Sequence, residues 1–233
     1  MNKNEQKKQR DIALYRLLAN IYFLMATNFL FLLSIALPVV WLMITPHSLV
    51  DIIVVALLFP GLAALVSCTI KFKESKNSTD FKIFKHFVDG FRKNVKDTLK
   101  YCLFIGIVVF VFQFNLEIHG AQMPLWLGIS MTVLLSLTTL ITTYMMIVAT
   151  KFQFKVGSLF RVAMYCLMMY LGKSLKLLLL YIAVFFAWPW VGMFVLLMIA
   201  STIVYFVVQI VHPVLADVHA VFVEPTPEQT SQP

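Results

Sequence analysis

Long apolar stretches dominate this chain and constrain its fold more than any other feature. A helix needs about 20 predominantly apolar residues to cross a bilayer, and four of the six apolar stretches in this sequence reach that length. The composition agrees, because 61% of the residues are hydrophobic and 13% are charged, whereas soluble domains average about 45–50% and about 25%. The sequence therefore predicts an all-α, polytopic membrane helix bundle and excludes a water-soluble domain and a disordered chain. The six predicted spans are 17–44, 49–70, 101–114, 125–150, 177–187 and 191–211.

The polar segments outside these stretches set the domain boundaries. Residues 1–16 form a basic N-terminus, residues 17–211 form one transmembrane helical domain, and residues 212–233 form a tail that we predict to be cytosolic and largely disordered. The first apolar stretch is longer than the apolar core of a signal peptide, which has about 7–15 residues. We therefore interpret it as an uncleaved first span.

The basic residues predict the orientation. All 19 Lys and Arg residues lie before the first span, between the second and third, or between the fourth and fifth. Since Lys and Arg are enriched in cytoplasmic loops, we expect a plasma-membrane protein with both termini in the cytosol, and we assign the net charge of +8 to anionic headgroups rather than to nucleic acid. The four tryptophans fall at predicted outer ends of spans, where an indole ring suits the interface: Trp41, Trp126, Trp188 and Trp190.

Two polar segments, 78–100 and 155–176, predict cytosolic amphipathic helices. In the first, Ser78 or Thr79 can cap the helix, and apolar residues recur at helical spacing opposite a basic face. We expect an interfacial helix that runs into the third span with a bend. It either packs beneath the bundle against anionic headgroups or docks a cytosolic partner. The apolar stripe is Phe81, Phe84, Val88, Phe91 and Val95, widened by Phe87; the candidate partner- or lipid-binding residues are Phe84, Lys85, Phe91, Arg92, Lys93 and Arg161.

The second amphipathic segment resembles the first. Phe160-Arg161 lies 76 residues after Phe84-Lys85, and Lys176 lies at the same offset from Lys100. Each half has the order span, amphipathic helix, span. This order predicts a weak 3+3 internal repeat in parallel orientation.

Few polar residues lie inside the predicted spans, so each is a candidate for a structural or lining role. We expect Asn28 to face another helix, because an unpaired amide in hydrocarbon is costly. Pro60 leaves a carbonyl near Ala56 without its helical donor. We expect the first and second spans to pack together and Asn28 to donate to a polar group within the bundle, for which this carbonyl is one candidate. Thr138 and Thr142 share one helical face, which fits interhelical hydrogen bonding or a sugar-facing lining.

The residues after Pro60 favour close helix packing. Gly61, Ala63 and Ala64 are small, and small residues let a neighbouring helix approach closely in membranes. Pro60 itself is expected to kink the second span.

The sequence carries no recognisable catalytic or cofactor motif. The three cysteines, Cys68, Cys102 and Cys166, have no paired spacing, and the five histidines have no partner motif. No charged residue lies in the middle of a predicted span, where an ion-coupled carrier would place one. We therefore expect no catalytic residue, no metal site and no cofactor, and we do not expect an enzyme.

The region from about Asn20 to Asn115 resembles the YesL family of small bacterial membrane proteins. The resemblance rests on Asn28 followed by FLFLL and Leu-Pro, on FPGLAAL at residues 59–65, and on FKIFKHFVDGFRKNVKDTL with its Lys93-Asn94 pair. The tryptophan that usually follows the first-span asparagine is absent. The resemblance implies a helix bundle in the plasma membrane of a bacterium. It also implies an accessory role in sugar transport, because members are encoded near carbohydrate-uptake systems.

Two functions remain open at this point. The leading one is a non-catalytic accessory or regulatory component of carbohydrate uptake that contacts subunits of an ABC-type importer through its basic helices. The alternative is a small-solute transporter or channel in its own right, with the Thr-rich fourth span as its lining. A membrane-embedded enzyme is disfavoured, because the sequence offers neither a placed nucleophile nor a metal motif.

Overall fold

A computed structural model describes residues 3–44, 49–75, 82–119, 124–152 and 154–222. Within these ranges the regular elements are seven helices and no strand, which confirms the all-α class. The predicted turn at 45–48 and the predicted cap at Ser78 or Thr79 lie outside the described residues. The helices are α1 Lys3–Ile44, α2 Leu49–Glu74, α3 Ile83–His119, α4 Leu125–Lys151, α5 Val156–Met169, α6 Leu171–Met198 and α7 Ala200–Phe222.

Several of these helices are long and apolar enough to cross a membrane. Within the described ranges they are Leu17–Ala36 of α1, α4 and α7. A fourth span is added if α5 and α6, which meet at 95°, form one broken span. The protein thus has three or four candidate membrane-spanning helices, and the count of six stays a prediction.

The bundle is built around α2. Every residue from 63 to 70 is buried, and a helix can be buried on all sides only when other helices surround it. α1, α3, α4 and α7 all contact α2. The sequence permits this burial because the segment ALVSCTI at residues 64–70 has no charge, and the hydroxyl of Thr69 donates to Leu65 O at 2.8 Å.

Two glycines allow the neighbours of α2 to approach closely. A Cβ atom at Gly61 of α2 would lie 2.6 Å from Ser34 Oγ of α1, and a Cβ atom at Gly90 of α3 would lie 3.1 Å from Ser67 Cβ of α2. The expected close packing of the first and second spans is therefore confirmed. Pro60 is buried within α2, which runs through it as one helix.

The first amphipathic segment and the third span form one helix. α3 has 37 residues and is about 55 Å long at about 1.5 Å per residue. The predicted loop from Asn115 begins too early, because the Asn115 amide donates to Val111 O at 2.7 Å and the helix continues to His119. In the second half, by contrast, the chain bends by 95° around Tyr170, where α5 and α6 meet.

The C-terminal region also departs from the prediction. α6 is interrupted at Gly192, whose φ of 75° favours glycine; this break lies after the turn predicted at residues 188–190. α7 continues to Phe222, so the predicted boundary at residue 211 is too early. Its buried residues keep helical spacing on both sides of Pro213, and this packing holds the helix past the proline: Val207, Val208, Val211, Val214, Leu215 and Val218.

Adding a methyl group at Gly90 should destabilise the fold. Gly90→Ala places a Cβ atom 3.1 Å from Ser67 Cβ and 3.4 Å from the backbone oxygen of Ala64, which cannot easily yield. Overpacking of this kind costs about 1–3 kcal/mol, which outweighs the gain of up to about 1 kcal/mol from alanine in a helix. Gly157→Ala is the matched control, because nothing lies within 4 Å of its Cβ position and alanine favours a helix by up to about 1 kcal/mol over glycine. Thermal unfolding in detergent should show a lower Tm for Gly90→Ala and an unchanged or higher Tm for Gly157→Ala. Equal Tm values would contradict the close α2–α3 contact.

Candidate functional site

One end of the bundle collects the basic segments that the sequence predicts to share a side. We call it the basic end; α2, α4 and α7 finish there. Lys151 Nζ of α4 lies 2.7 Å from Glu74 Oε1 of α2, and Tyr170 OH donates to Asp217 Oδ2 of α7 at 2.7 Å. An exposed ion pair contributes no more than about 1 kcal/mol. The contacts therefore mark which segments meet rather than holding the end together.

The opposite end carries the tryptophans whose side chains the structure describes. Trp126 lies in the first turn of α4, and Trp190 lies beside the break at Gly192. Both are exposed, as expected for rings at a membrane interface. The side chains of Trp41 and Trp188 lie outside the described residues.

Three contacts fix the relative positions of α1, α2 and α3 along the bundle axis, which we call their heights. Since α1 and α3 both run antiparallel to α2, residues 25–33 of α1 and 85–93 of α3 lie beside residues 62–70 of α2. The contacts are the ring stack of Phe23 on Phe72, with centroids 3.9 Å apart, the approach of Ser34 to Gly61, and the approach of Ser67 to Gly90.

α3 buries a different face from the one that its apolar stripe predicts. Phe87, Gly90 and Asn94 are buried, and Asn94 Nδ2 donates to Gly90 O at 2.8 Å. The predicted stripe lies about a quarter of a turn away, with Phe84 68% exposed and Phe91 half-buried. Contacts of Ser67 with Gly90 and of Cys68 with Ile83 place this segment alongside α2 rather than beneath the bundle. Its contact with anionic headgroups or with a partner stays a prediction.

At this height the two sides of the bundle expose opposite chemistry. α1 exposes Met25, Phe29 and Leu33 by 70%, 62% and 59%. α3 exposes three of the predicted binding residues, Lys85, Arg92 and Lys93. Hydrocarbon around the bundle would suit the α1 side, but each charged side chain of α3 would then cost about 2.5–3.5 kcal/mol at the bilayer centre. Water around the bundle would suit the α3 side, but the apolar side chains of α1 would then be unfavourably hydrated. No single surrounding medium suits both sides.

α5 presents the remaining predicted binding residue, Arg161. Its packing face is buried, whereas Phe160 and Arg161 point outward. α5 also contacts α3. The exposed pairs Phe84-Lys85 and Phe160-Arg161 therefore belong to adjoining helices. The proposed 3+3 repeat stays a prediction, because α3 is continuous where the second half is bent.

Asn28 is buried and pairs with α7. Its Oδ1 accepts a hydrogen bond from the backbone N–H of Ser201 at 3.1 Å, and Ser201 Oγ donates to Leu24 O at 2.9 Å. Asn28 does face another helix, as expected. In this bond, however, it accepts rather than donates, and its partner is α7 rather than α2. The Ser201 N–H lies in the first turn of α7, where backbone donors lack intrahelical acceptors, so Asn28 caps α7 from a neighbouring helix.

The threonines of α4 bond chiefly within their own helix. Thr138 and Thr142 are buried, and their hydroxyls donate to Leu134 O and Thr138 O, both at 2.8 Å. The interhelical bonds come from their neighbours. Thr143 Oγ1 lies 2.7 Å from Tyr181 OH of α6, and Tyr144 OH lies 3.0 Å from Ser174 Oγ. Tyrosines near small hydroxyl residues in apolar spans were the signal that could have identified these pairs.

The described residues offer little reactive chemistry. No three His, Cys, Asp or Glu side chains among them could together hold a metal ion. Cys68 and Cys166 are free and buried, whereas reactive cysteines lie in partially exposed, electropositive surroundings.

The comparisons with known proteins bear on the first three helices. Residues 18–116 match the family model described as "Protein of unknown function, DUF624". The matched region begins in α1 and ends in α3, so it contains the three-helix layer in which the heights are fixed. No curated protein and no solved structure matches the chain.

Replacing Asn28 should weaken the junction of α1 and α7. Asn28→Leu removes the acceptor of the Ser201 N–H; such bonds average about 0.6 kcal/mol in membranes, and a buried donor left unpaired costs up to about 3 kcal/mol. Asn115→Leu is the control, because its exposed amide donates to Val111 O of its own helix. We expect Asn28→Leu to lower the Tm and Asn115→Leu to leave it unchanged, with normal membrane insertion for both. An unchanged Tm for Asn28→Leu would contradict the capping role.

Proposed function

We propose that the protein is a non-catalytic membrane component that binds a partner through the exposed face of α3 and the adjoining part of α5. The observation that carries this proposal is the contrast between apolar α1 and basic α3 at one height. A partner that covers Lys85, Arg92 and Lys93 lets the α1 side remain in lipid and removes the conflict. Phe84 supplies an exposed ring on the same helix, and aromatic side chains anchor many protein interfaces.

The partner is expected to present an acidic surface. Residues 82–100 hold six Lys and Arg residues against two Asp residues, so a second copy of this face would repel it. Anionic headgroups and an acidic protein surface both meet the charge requirement. A protein subunit is favoured, because the basic face stands beside α2 rather than lying flat in the interface.

The proposed context is carbohydrate uptake in the plasma membrane of a bacterium, with the protein as an accessory or regulatory component of an ABC-type importer. The resemblance to the YesL family supports it, and the family match over residues 18–116 is compatible with that resemblance. The grouping of basic segments at one end supports a cytosolic basic end and cytosolic termini. The transporter alternative has less support, because the α4 hydroxyls donate to carbonyls of their own helix.

Reversing two exposed charges on α3 should release the partner. We expect Arg92→Glu with Lys93→Glu to reduce co-purification of importer subunits in mild detergent by about tenfold or more, since losing paired interface charges costs about 2–5 kcal/mol. Lys155→Glu with Lys176→Glu is the matched control, because both residues are exposed and lie outside α3. It changes the net charge equally and should retain the subunits.

Two results would contradict the proposal. If importer subunits co-purify equally with both double variants, α3 is not their docking surface. If only the α3 variant loses binding to anionic vesicles while the subunits are retained, the face binds lipid. Uptake of labelled sugars by a deletion strain tests the carbohydrate context separately, and unchanged uptake of every sugar would overturn that part.

A further inference from the structure

A cavity of about 260 Å³ lies between α2, α4, α6 and α7. Most of its wall is apolar and includes Val66, Met146, Val204 and Val207. The polar part of the wall consists of hydroxyl groups from α4 and α6. An apolar cavity of about 150 Å³ holds one benzene molecule, so this space is large enough for a somewhat bigger molecule.

The hydroxyl hydrogens of the polar wall are all used within the protein. Thr139 Oγ1 donates to Leu135 O, Thr142 Oγ1 to Thr138 O, and Thr143 Oγ1 to Thr139 O, each at 2.8 Å. Thr143 Oγ1 also lies 2.7 Å from Tyr181 OH. Because the hydroxyl hydrogen of Thr143 is already used, Tyr181 OH must be the donor in this second hydrogen bond.

The wall therefore offers acceptors and no spare donor. A hydroxyl oxygen has two lone pairs, so Tyr181 and the threonines can still accept hydrogen bonds from a guest. A sugar fits poorly, because its many oxygens would lose water without gaining donors. A molecule with one hydroxyl on an apolar body loses much less, because its single donor finds an acceptor in the wall.

The lining of the cavity is more exposed away from the basic end. Val66 and Met146 are buried and lie nearer the basic end than Phe59 and Thr139, which are half-buried. Tyr181 is also half-buried. A guest would therefore enter from the opposite half of the bundle, with its donor near Tyr181 and its apolar body against Val66, Met146 and Val207.

We propose that this cavity binds one small amphipathic molecule, an apolar chain with a single hydroxyl donor. The ligand is either derived from membrane lipid or a free alcohol. This site is separate from the α3 face and does not depend on the proposed partner.

The test compares two isomers on the purified full-length protein. 1-Hexanol can donate a hydrogen bond, whereas 1-methoxypentane has the same atoms and cannot. A ligand that binds the native state raises the Tm with concentration. We expect wild type to bind 1-hexanol about threefold to tenfold more tightly than the ether, the effect of one hydrogen bond. Thr143→Val with Tyr181→Phe removes two of the four hydroxyl acceptors of the wall and should reduce that preference while keeping ether binding.

Filling the cavity is the second arm. Val204→Phe places a ring in the cavity and should abolish the Tm increase with both isomers, whereas Val133→Phe, on the exposed face of α4, should behave as wild type. If Val204→Phe fails to fold, Thr142→Leu replaces it. Equal Tm increases in wild type and the filled variant would overturn the site, and equal affinity for the two isomers would overturn the donor requirement.

A third arm identifies the source. Native mass spectrometry of protein extracted directly from membranes should show a bound mass if the ligand is membrane-derived, and Val204→Phe should lack it. If extracted wild type carries no such mass but binds added 1-hexanol, the ligand is a free alcohol. A bound mass that Val204→Phe retains at wild-type level would contradict occupancy of this cavity.

Discussion

The need to cover α2 on every side determines the rest of this structure. Eight consecutive buried residues, 63 to 70, leave no face of that helix for lipid or water. Close approach is possible because small residues meet at two contacts: Gly61 with Ser34 and Gly90 with Ser67. Backbones that come this close gain dispersion contacts, and a single added methyl group is enough to disturb them. The heights of α1 and α3 are fixed as a consequence.

Fixing those heights creates the conflict that points to function. α3 meets α2 through Gly90 and Asn94, so its charged residues stand beside the apolar face of α1 instead of below it. A soluble protein would place the apolar face of α1 inside, and an isolated membrane helix would keep charges out of the apolar depth. This bundle does neither: residues 25–33 of α1 expose apolar side chains, and residues 85–93 of α3 expose charged side chains at the same height. A binding partner on one side explains both faces, and it requires no reactive group.

Periodicity and charge in the sequence were enough to predict the fold class, the common end of the basic segments and the burial of Asn28. They did not predict which face of α3 packs, because the apolar stripe at Phe84 and Phe91 is stronger than the small-residue face at Gly90. They also did not predict that Asn28 pairs with Ser201, since the pairing depends on where α7 begins in space. Pro213 indicated the end of a helix, but buried valines on both sides of it carry α7 onward.

The most direct test of this account compares spin labels at two positions of equal height, Leu33→Cys on α1 and Lys93→Cys on α3. The labels are introduced singly into a protein without native cysteines and reconstituted in bilayers without any partner. Collision with oxygen reports lipid, and collision with a water-soluble nickel chelate reports water. The account predicts that the label at 33 collides mainly with oxygen and the label at 93 mainly with the chelate. Lipid-type collision at both positions, or water-type collision at both, would contradict the claim that two media meet this bundle at one height.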